Sequence, residues 1–280
     1  MYAPIYTVDV IKERKRQVSI GTLNTNGVPF LSFKPAERYT RLSEEIESMQ
    51  LDIINLQEVH TYRLMRILRA NLPSYPYISY ERSLWGAKGG LVTFSKLPLE
   101  KVSYTSFSNQ LTAPISLRRT GLGDKGVLAS YLRDLPVAIL NTHLTANIYG
   151  DWSQESSVTR RQETQIEELS LAVEDAALDR DTVIVVGDFN IPKGTEQYRR
   201  FIYRSSASDV FKDEVYPTYH QEYLPPGRES QCIDYIFVFS NKGNVEVDQT
   251  SLVFQEPVEL SSGKLSYLSD HIGLSAILGI

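Results

Sequence analysis

The sequence predicts an α/β (α+β) fold in which two mixed β-sheets pack face to face with helices on their outer sides, a four-layer α-β-β-α sandwich. Three observations carry the prediction: eight short β-branched runs bounded by turn residues, four helical patterns lying between some of them, and an order that mixes helix crossovers with hairpin-like neighbours.

In chain order the predicted strands are Val18 to Leu23, Asp52 to Leu56, Gly90 to Phe94, Val127 to Leu132, Val137 to Leu140, Thr182 to Val186, Tyr235 to Phe239 and Ile272 to Leu278. Their continuous apolar character is that of strands buried on both faces. The clearest helix is Glu155 to Ala177, where Ile166, Leu169, Val173 and Ala177 share one face; Ala36 to Met49, Tyr62 to Ala70 and Thr195 to Tyr203 follow the same period. No tract rich in Pro, Gly or Ser divides the 280 residues, so they are expected to form a single domain.

Composition narrows the function classes. With 42% hydrophobic residues the chain can fill a sizeable core, and no apolar run approaches the length of a membrane span. The opening segment has a charge cluster, Lys12 to Arg16, and no apolar signal region. The single cysteine, Cys232, fits a reducing compartment, so the default location is cytoplasmic, with secretion by a signal-independent route also compatible. A net charge of −5 disfavours bulk nucleic-acid binding through an overall basic field.

Polar residues at the strand ends carry the chemistry. Leu23 is followed by Asn24, Leu56 by Gln57 and Glu58, Leu140 by Asn141, Thr142 and His143, and Val186 by Gly187, Asp188, Phe189 and Asn190; Asp234 precedes one late strand and Asp270 with His271 another. If the two late strands run antiparallel to the first four, all six clusters meet on one rim. Hydrolysis of a phosphate ester needs a cation for the phosphoryl oxygens, a group that orients or deprotonates water, and stabilisation of the leaving oxygen. Glu58, Asp270 and Asn24 are hard oxygen donors suited to Mg²⁺ or Mn²⁺, whereas four histidines and one cysteine without ligand spacing argue against zinc.

These landmarks in this order, "IGTLNTN", "IINLQEV", "AILNTHL", "VIVVGDFN", "IDYIFV" and "YLSDHIGL", resemble the endonuclease/exonuclease/phosphatase superfamily with its DNase I-like fold, from about Val18 to the C-terminus. The resemblance implies that Glu58 holds a metal with Asn24 close to it, and that Asp270 binds metal directly or through water. It implies that Asp188 orients and deprotonates the water, that Asn190 holds a phosphoryl oxygen or that water, and that His143 bonds the phosphate or protonates the leaving group. His271, oriented by Asp234, contacts the phosphate or serves as base. Pairing with a buried carboxylate should favour the imidazolium form of His271.

The region "NTHLTANIYGDWSQESSVTRRQETQIEEL" is similar both to neutral sphingomyelinases and to poly(A)-type deadenylases. "KGVLAS" and "LSDHIGLSAIL" lean toward the sphingomyelinases, from which the chain departs in lacking a second histidine after "NTHL". The expected substrate is therefore a phosphate ester of the phospholipid head-group kind, with nucleic acid, then inositol phosphate, as alternatives, and a catalytically inactive binding protein as a reading of another class. Trp85, Tyr149, Trp152 and the run Tyr223-Leu224-Pro225-Pro226 are candidates for exposed loops that touch a membrane interface, stack on bases or anchor the loops. Lys125 is expected in a hairpin, facing the site, and Arg160 and Arg161 on a helix face. His60 and His220 match no landmark and are expected at the surface or in loops.

Overall fold

The computed structural model describes residues 15–29, 32–108, 123–148, 150–153, 155–212, 214–243 and 245–280. One sheet contains β1 (Gln17–Asn24), β2 (Ile53–Gln57), β3 (Tyr77–Ser79), β4 (Val92–Ser95), β11 (Glu246–Val253) and β14 (Gly273–Gly279), in the order β11-β14-β1-β2-β4-β3. The other contains β5 (Leu99–Ser106), β6 (Gly126–Leu132), β7 (Val137–His143), β8 (Thr182–Asp188), β9 (Ser208–Asp209) and β10 (Asp234–Ser240), in the order β5-β6-β7-β8-β10-β9. A small hairpin, β12 (Val258–Glu259) with β13 (Leu265–Ser266), lies apart from both.

Each sheet is organised around a parallel pair joined by a helix. β1 and β2 are parallel across α1 (Pro35–Met49), and β7 and β8 are parallel across α3 (Ser157–Asp179). α2 (Tyr62–Asn71) packs beside α1, and α4 (Glu196–Ser205) beside α3. An antiparallel strand then flanks each pair: β14 lies on β1, and β10 on β8. This is the orientation that brings all six polar clusters to one rim.

Alternation within the strands divides the core into three layers. Val18, Ile20, Ile53, Ile139, Ile184, Val186, Ile236 and Leu274 fill the space between the sheets. Ile54, Leu56 and Phe94 point outward against Leu42 and Ile46, while Val183 and Val185 point outward against Ile166 and Leu169. Runs such as Thr182 to Val186 are apolar throughout because a sheet covered by helices on one side and by a second sheet on the other leaves neither face to water.

Near the rim the inter-sheet layer turns polar. Gln57 Nε2 donates to Asn141 Oδ1 at 2.8 Å across the sandwich and to Thr22 Oγ1 at 3.0 Å, and Asn141 Nδ2 donates to the carbonyls of Leu56 and Val92. These groups are fully buried, so the bonds tie the two sheets at a fixed spacing directly beneath the functional residues. Gln57 and Asn141 therefore brace the rim from below. Arg38, also buried, donates to the carbonyls of Thr25, Asn26 and Leu268 and joins the loop after β1 to the segment before β14.

Candidate active site

Strand register does most of the positioning. Asp188 ends β8 and pairs with His143, the last residue of β7, on one side and with Asp234, the first residue of β10, on the other. Gly187 makes this possible: its φ is +135°, and a Cβ there would stand 2.0 Å from the Thr142 carbonyl oxygen. The "GDFN" glycine is thus required by close approach of β7 and β8.

Asp188 is the hub. Its Oδ2 receives Asn24 Nδ2 at 3.1 Å, Asn190 Nδ2 at 3.1 Å and His143 Nε2 at 3.3 Å, and lies 3.7 Å from His271 Nε2. Oδ1 receives the Asn190 backbone N–H at 2.8 Å. Asn190, with φ +52°, closes an Asx-type turn on Asp188 and also donates its side-chain amide to Asp188 Oδ2. Burial alone would raise the Asp188 pKa, but His271, His143 and Lys125 outweigh it and hold the carboxyl below the usual carboxylate range.

His271 Nδ1 donates to Asp234 Oδ2 at 2.9 Å, which fixes the tautomer and turns Nε2 toward Asp188. Burial opposes its charge, yet the Asp234 and Asp188 carboxylates push its pKa up to about 10, so the imidazolium form is present at neutral pH. Asp234 is itself pushed up to about 6 by burial, with the His271 charge opposing. Lys125, half-buried just before β6, is drawn down to about 8 by desolvation while Asp188 and Glu58 oppose; it is absent from the groove lining but close enough to act on both carboxylates.

Glu58 supplies the other wall. It follows β2 with φ +64°, a conformation that costs energy in a residue without glycine's freedom and that directs the side chain into the groove. No hydrogen bond to its carboxylate is made among the described residues, and Asn24 lies along the same wall. Asp270 sits differently: its carboxylate accepts from Tyr219 Oη at 3.0 Å and Ser269 Oγ at 3.2 Å, and it is absent from the groove lining, while adding to the field that charges His271.

Two cation positions merit comparison. Asp188, Asp234 and His271 have ligand atoms within 4.8 Å of one another and could hold a metal ion. An imidazolium has no free lone pair, however, and Nδ1 is already committed to Asp234. Glu58 lines the open groove with a carboxylate that has no hydrogen-bond partner among the described residues, and Asn24 Oδ1, which accepts the Asn26 N–H at 3.0 Å, keeps a second lone pair, so the two fit a Mg²⁺-like ion that retains several waters.

The groove has a volume of about 890 Å³ and runs from this floor between two loops, past Ile148 and Trp152 on one side and Tyr223, Leu224 and Arg228 on the other. Arg228 Nη1 donates to the Ile148 carbonyl at 2.7 Å and joins the two loops. Trp152 and Tyr223 line the groove, Trp85 is exposed outside it, and Tyr149 lies outside the described residues. Arg160 and Arg161 stand on α3 away from the groove lining.

The sequence profile of the endonuclease/exonuclease/phosphatase family matches residues 21–271. The chain belongs to that family. Two curated relatives are the human sphingomyelin phosphodiesterase 2, 25% identical over 178 residues, and a putative neutral sphingomyelinase of Drosophila melanogaster, 26% identical over 277 residues. The matches cover 62% and 94% of this chain but only 41% and 60% of those proteins. Among solved structures, a Staphylococcus aureus beta toxin variant with bound magnesium ions superimposes with a TM-score of 0.74 at 18% identity, covering 93% of this chain and 99% of that one. D. rerio TDP2 complexed with a single-strand DNA product superimposes with a TM-score of 0.70 at 16% identity, covering 94% and 99%. At those identities the structures share the DNase I-like fold.

Two histidines lie in loops, one of the two places expected for them, but are more enclosed than surface residues. His60 and His220, expected at the surface or in loops, are 9% and 4% exposed. His60 lies behind Glu58, where a Cβ on Gly90 would touch its ring, and His220 stacks on Tyr267 with ring centroids 3.7 Å apart. Both belong to loops, but loops folded back over the rim. Sequence reading also overlooked Tyr219, whose ring stands edge-on to His271 while its hydroxyl holds Asp270; its place in a long loop gave no signal.

Proposed function

We propose that the protein hydrolyses a phosphodiester of the phospholipid head-group kind, sphingomyelin being the first substrate to test, with a divalent cation as cofactor. The observation that carries the reading is the single carboxylate Asp188, held between His143 and His271, hydrogen-bonded by Asn24 and lining the same open groove as Glu58. The kinship with sphingomyelin phosphodiesterases supports the choice of lipid over nucleic acid.

In this reading a Mg²⁺ ion held by Glu58 and Asn24 would neutralise phosphoryl charge and acidify bound water. Asp188 accepts the hydrogen bond and then the proton of the attacking water, with Asn190 keeping that water in line. His271, charged at neutral pH and held by Asp234, donates from Nε2 to a phosphoryl oxygen as negative charge grows there. His143 donates from Nε2 to the leaving oxygen. Water adds to phosphorus, the ester bond breaks, and the products are an alcohol and a phosphomonoester.

The test is a panel of sphingomyelin, DNA, RNA and phosphoinositide, each with Mg²⁺, Mn²⁺ or chelator, using Asp188→Ala as the blank. Metal-dependent release of phosphocholine is the expected result. Plasmid nicking without lipid turnover would move the assignment to a nuclease, and no turnover of any phosphoester would leave a binding protein.

A further inference from the structure

Exposed apolar side chains are unevenly distributed. Of twelve large ones among the described residues, six stand on the rim loops: Phe33, Leu84, Trp85, Ile148, Tyr223 and Leu265. Topology fixes their location. Phe33 follows β1 and Ile148 follows β7, whereas Leu84 and Trp85 precede β4, Tyr223 precedes β10 and Leu265 precedes β14. The pairings of β4 with β2, β10 with β8 and β14 with β1 are all antiparallel, so every one of these loops opens on the end of the sandwich that carries Asp188. The Trp85 carbonyl accepts the Tyr62 N–H at 2.8 Å, four residues beyond Glu58, so Leu84 and Trp85 are 68% and 42% exposed directly beside the site.

Charge follows the same division. Between Tyr62 and Lys88 the sequence has five basic residues and one acidic, in a chain of net charge −5. Arg63, Arg66 and Arg69 recur every three residues down the exposed side of α2 from the rim, and none makes an ion pair among the described residues. Other arginines do find carboxylates: Arg41 pairs with Glu44, and Arg200 and Arg204 with Glu167. Across the mouth, Lys34 and Lys264 stand over the ring of Phe33 at 5.9 and 5.3 Å. Leu171 and Leu178, exposed on α3, sit instead beside Glu168, Glu174 and Asp175.

We propose that the rim is a docking surface for an anionic lipid bilayer: the apolar ring enters the acyl boundary and the arginines of α2 meet negatively charged head groups. Lys34 is also paired with Glu37 at 3.2 Å, so the cations without a carboxylate partner are the arginines of α2; aromatic and aliphatic tips beside such cations are the combination that binds an interface, since burial of apolar area and head-group attraction add. Docked in this way, the groove opens onto the head-group layer. The inference rests on the lipid reading of the site, but bilayer binding can be measured without turnover.

Binding of Asp188→Ala protein to vesicles of phosphatidylcholine and sphingomyelin, with and without phosphatidylserine, is read by co-sedimentation. Phosphatidylserine is expected to tighten binding, and the double variant Leu84→Ser/Trp85→Ser to weaken it by on the order of 10-fold or more. Arg63→Gln/Arg66→Gln should abolish most of the phosphatidylserine effect, again on the order of 10-fold, and lower the salt sensitivity. Circular dichroism confirms that each variant is folded. Vesicle binding by a protein that hydrolyses no lipid would uphold the surface and remove the lipid substrate. Hydrolysis of detergent-dispersed sphingomyelin without vesicle binding would do the reverse. Binding unchanged in both variants, or retention of single-stranded DNA lost in the arginine variant without vesicle association, would overturn the proposal.

Discussion

His271 and His60 lie on opposite sides of the site, 5% and 9% exposed, and hold their protons in opposite ways. Burial works against the charge of both. On the Asp188 side two carboxylates overcome it and raise His271 to about 10; on the Glu58 side burial, with His143 and Lys125 acting in the same direction, lowers His60 to about 3. Nδ1 of His60 has no hydrogen-bond partner among the described residues, whereas Nδ1 of His271 is bound to Asp234. Equal concealment thus gives a charged clamp in one place and a neutral ring in the other, and partners rather than depth decide.

The largest effects should come from breaking the charged side. Asp188→Ala should lower turnover by roughly 10² to 10⁴, the range for losing a positioned acid, base or electrostatic group, and His271→Ala should fall in the same range. Steady-state rates on whichever substrate the panel identifies provide the check, and near-normal rates would take that residue out of the mechanism. Asp234→Asn keeps the shape and loses the charge. Turnover should drop by roughly 10², and the His271 resonance in an NMR titration should move from its alkaline midpoint toward the ordinary value near 6.5. An unmoved midpoint would mean that Asp234 does not sustain the imidazolium.

The Glu58 side should respond through metal instead. Glu58→Gln should raise the Mg²⁺ concentration needed for half-maximal rate by on the order of 10-fold or more, with a smaller loss at saturating metal. An unchanged metal titration would contradict its assignment as a ligand.

Much of this arrangement was legible because strands buried on both faces announce themselves, and their polar ends stand out against the apolar runs. The eight predicted strands are all present, five of them longer by one to three residues, as with Thr182–Asp188 and Val137–His143, whose last paired residues are the functional ones. β5 and β11 were not legible: "LEKVSYTS" and "EVDQTSLV" are edge strands exposed along much of their length, so neither shows the apolar run of a buried strand. At the site, sequence order supplied the landmarks but not their contacts. That Gln57 and Asn141 would bridge the sheets, or that Tyr219 would hold Asp270, depends on approach between segments more than 50 residues apart.

The smallest predicted effect separates the two histidines by stability. His60 titrates near 6.5 when unfolded and about 3 when folded, so in that window the unfolded chain binds the extra proton and stability falls as pH falls. From about pH 6.5 to pH 5 this costs about 2 kcal/mol, and His60→Leu should lose about that much less than the parent in urea unfolding over the same change. His271 has the opposite sign: its raised pKa contributes stability that is full below the unfolded value and disappears as pH rises toward about 10. His271→Gln should therefore alter the alkaline limb and leave the acid limb to His60 and the carboxylates. If both variants changed the same limb, burial alone would be governing the two rings, and the distinction between the charged and neutral sides of the groove would fail.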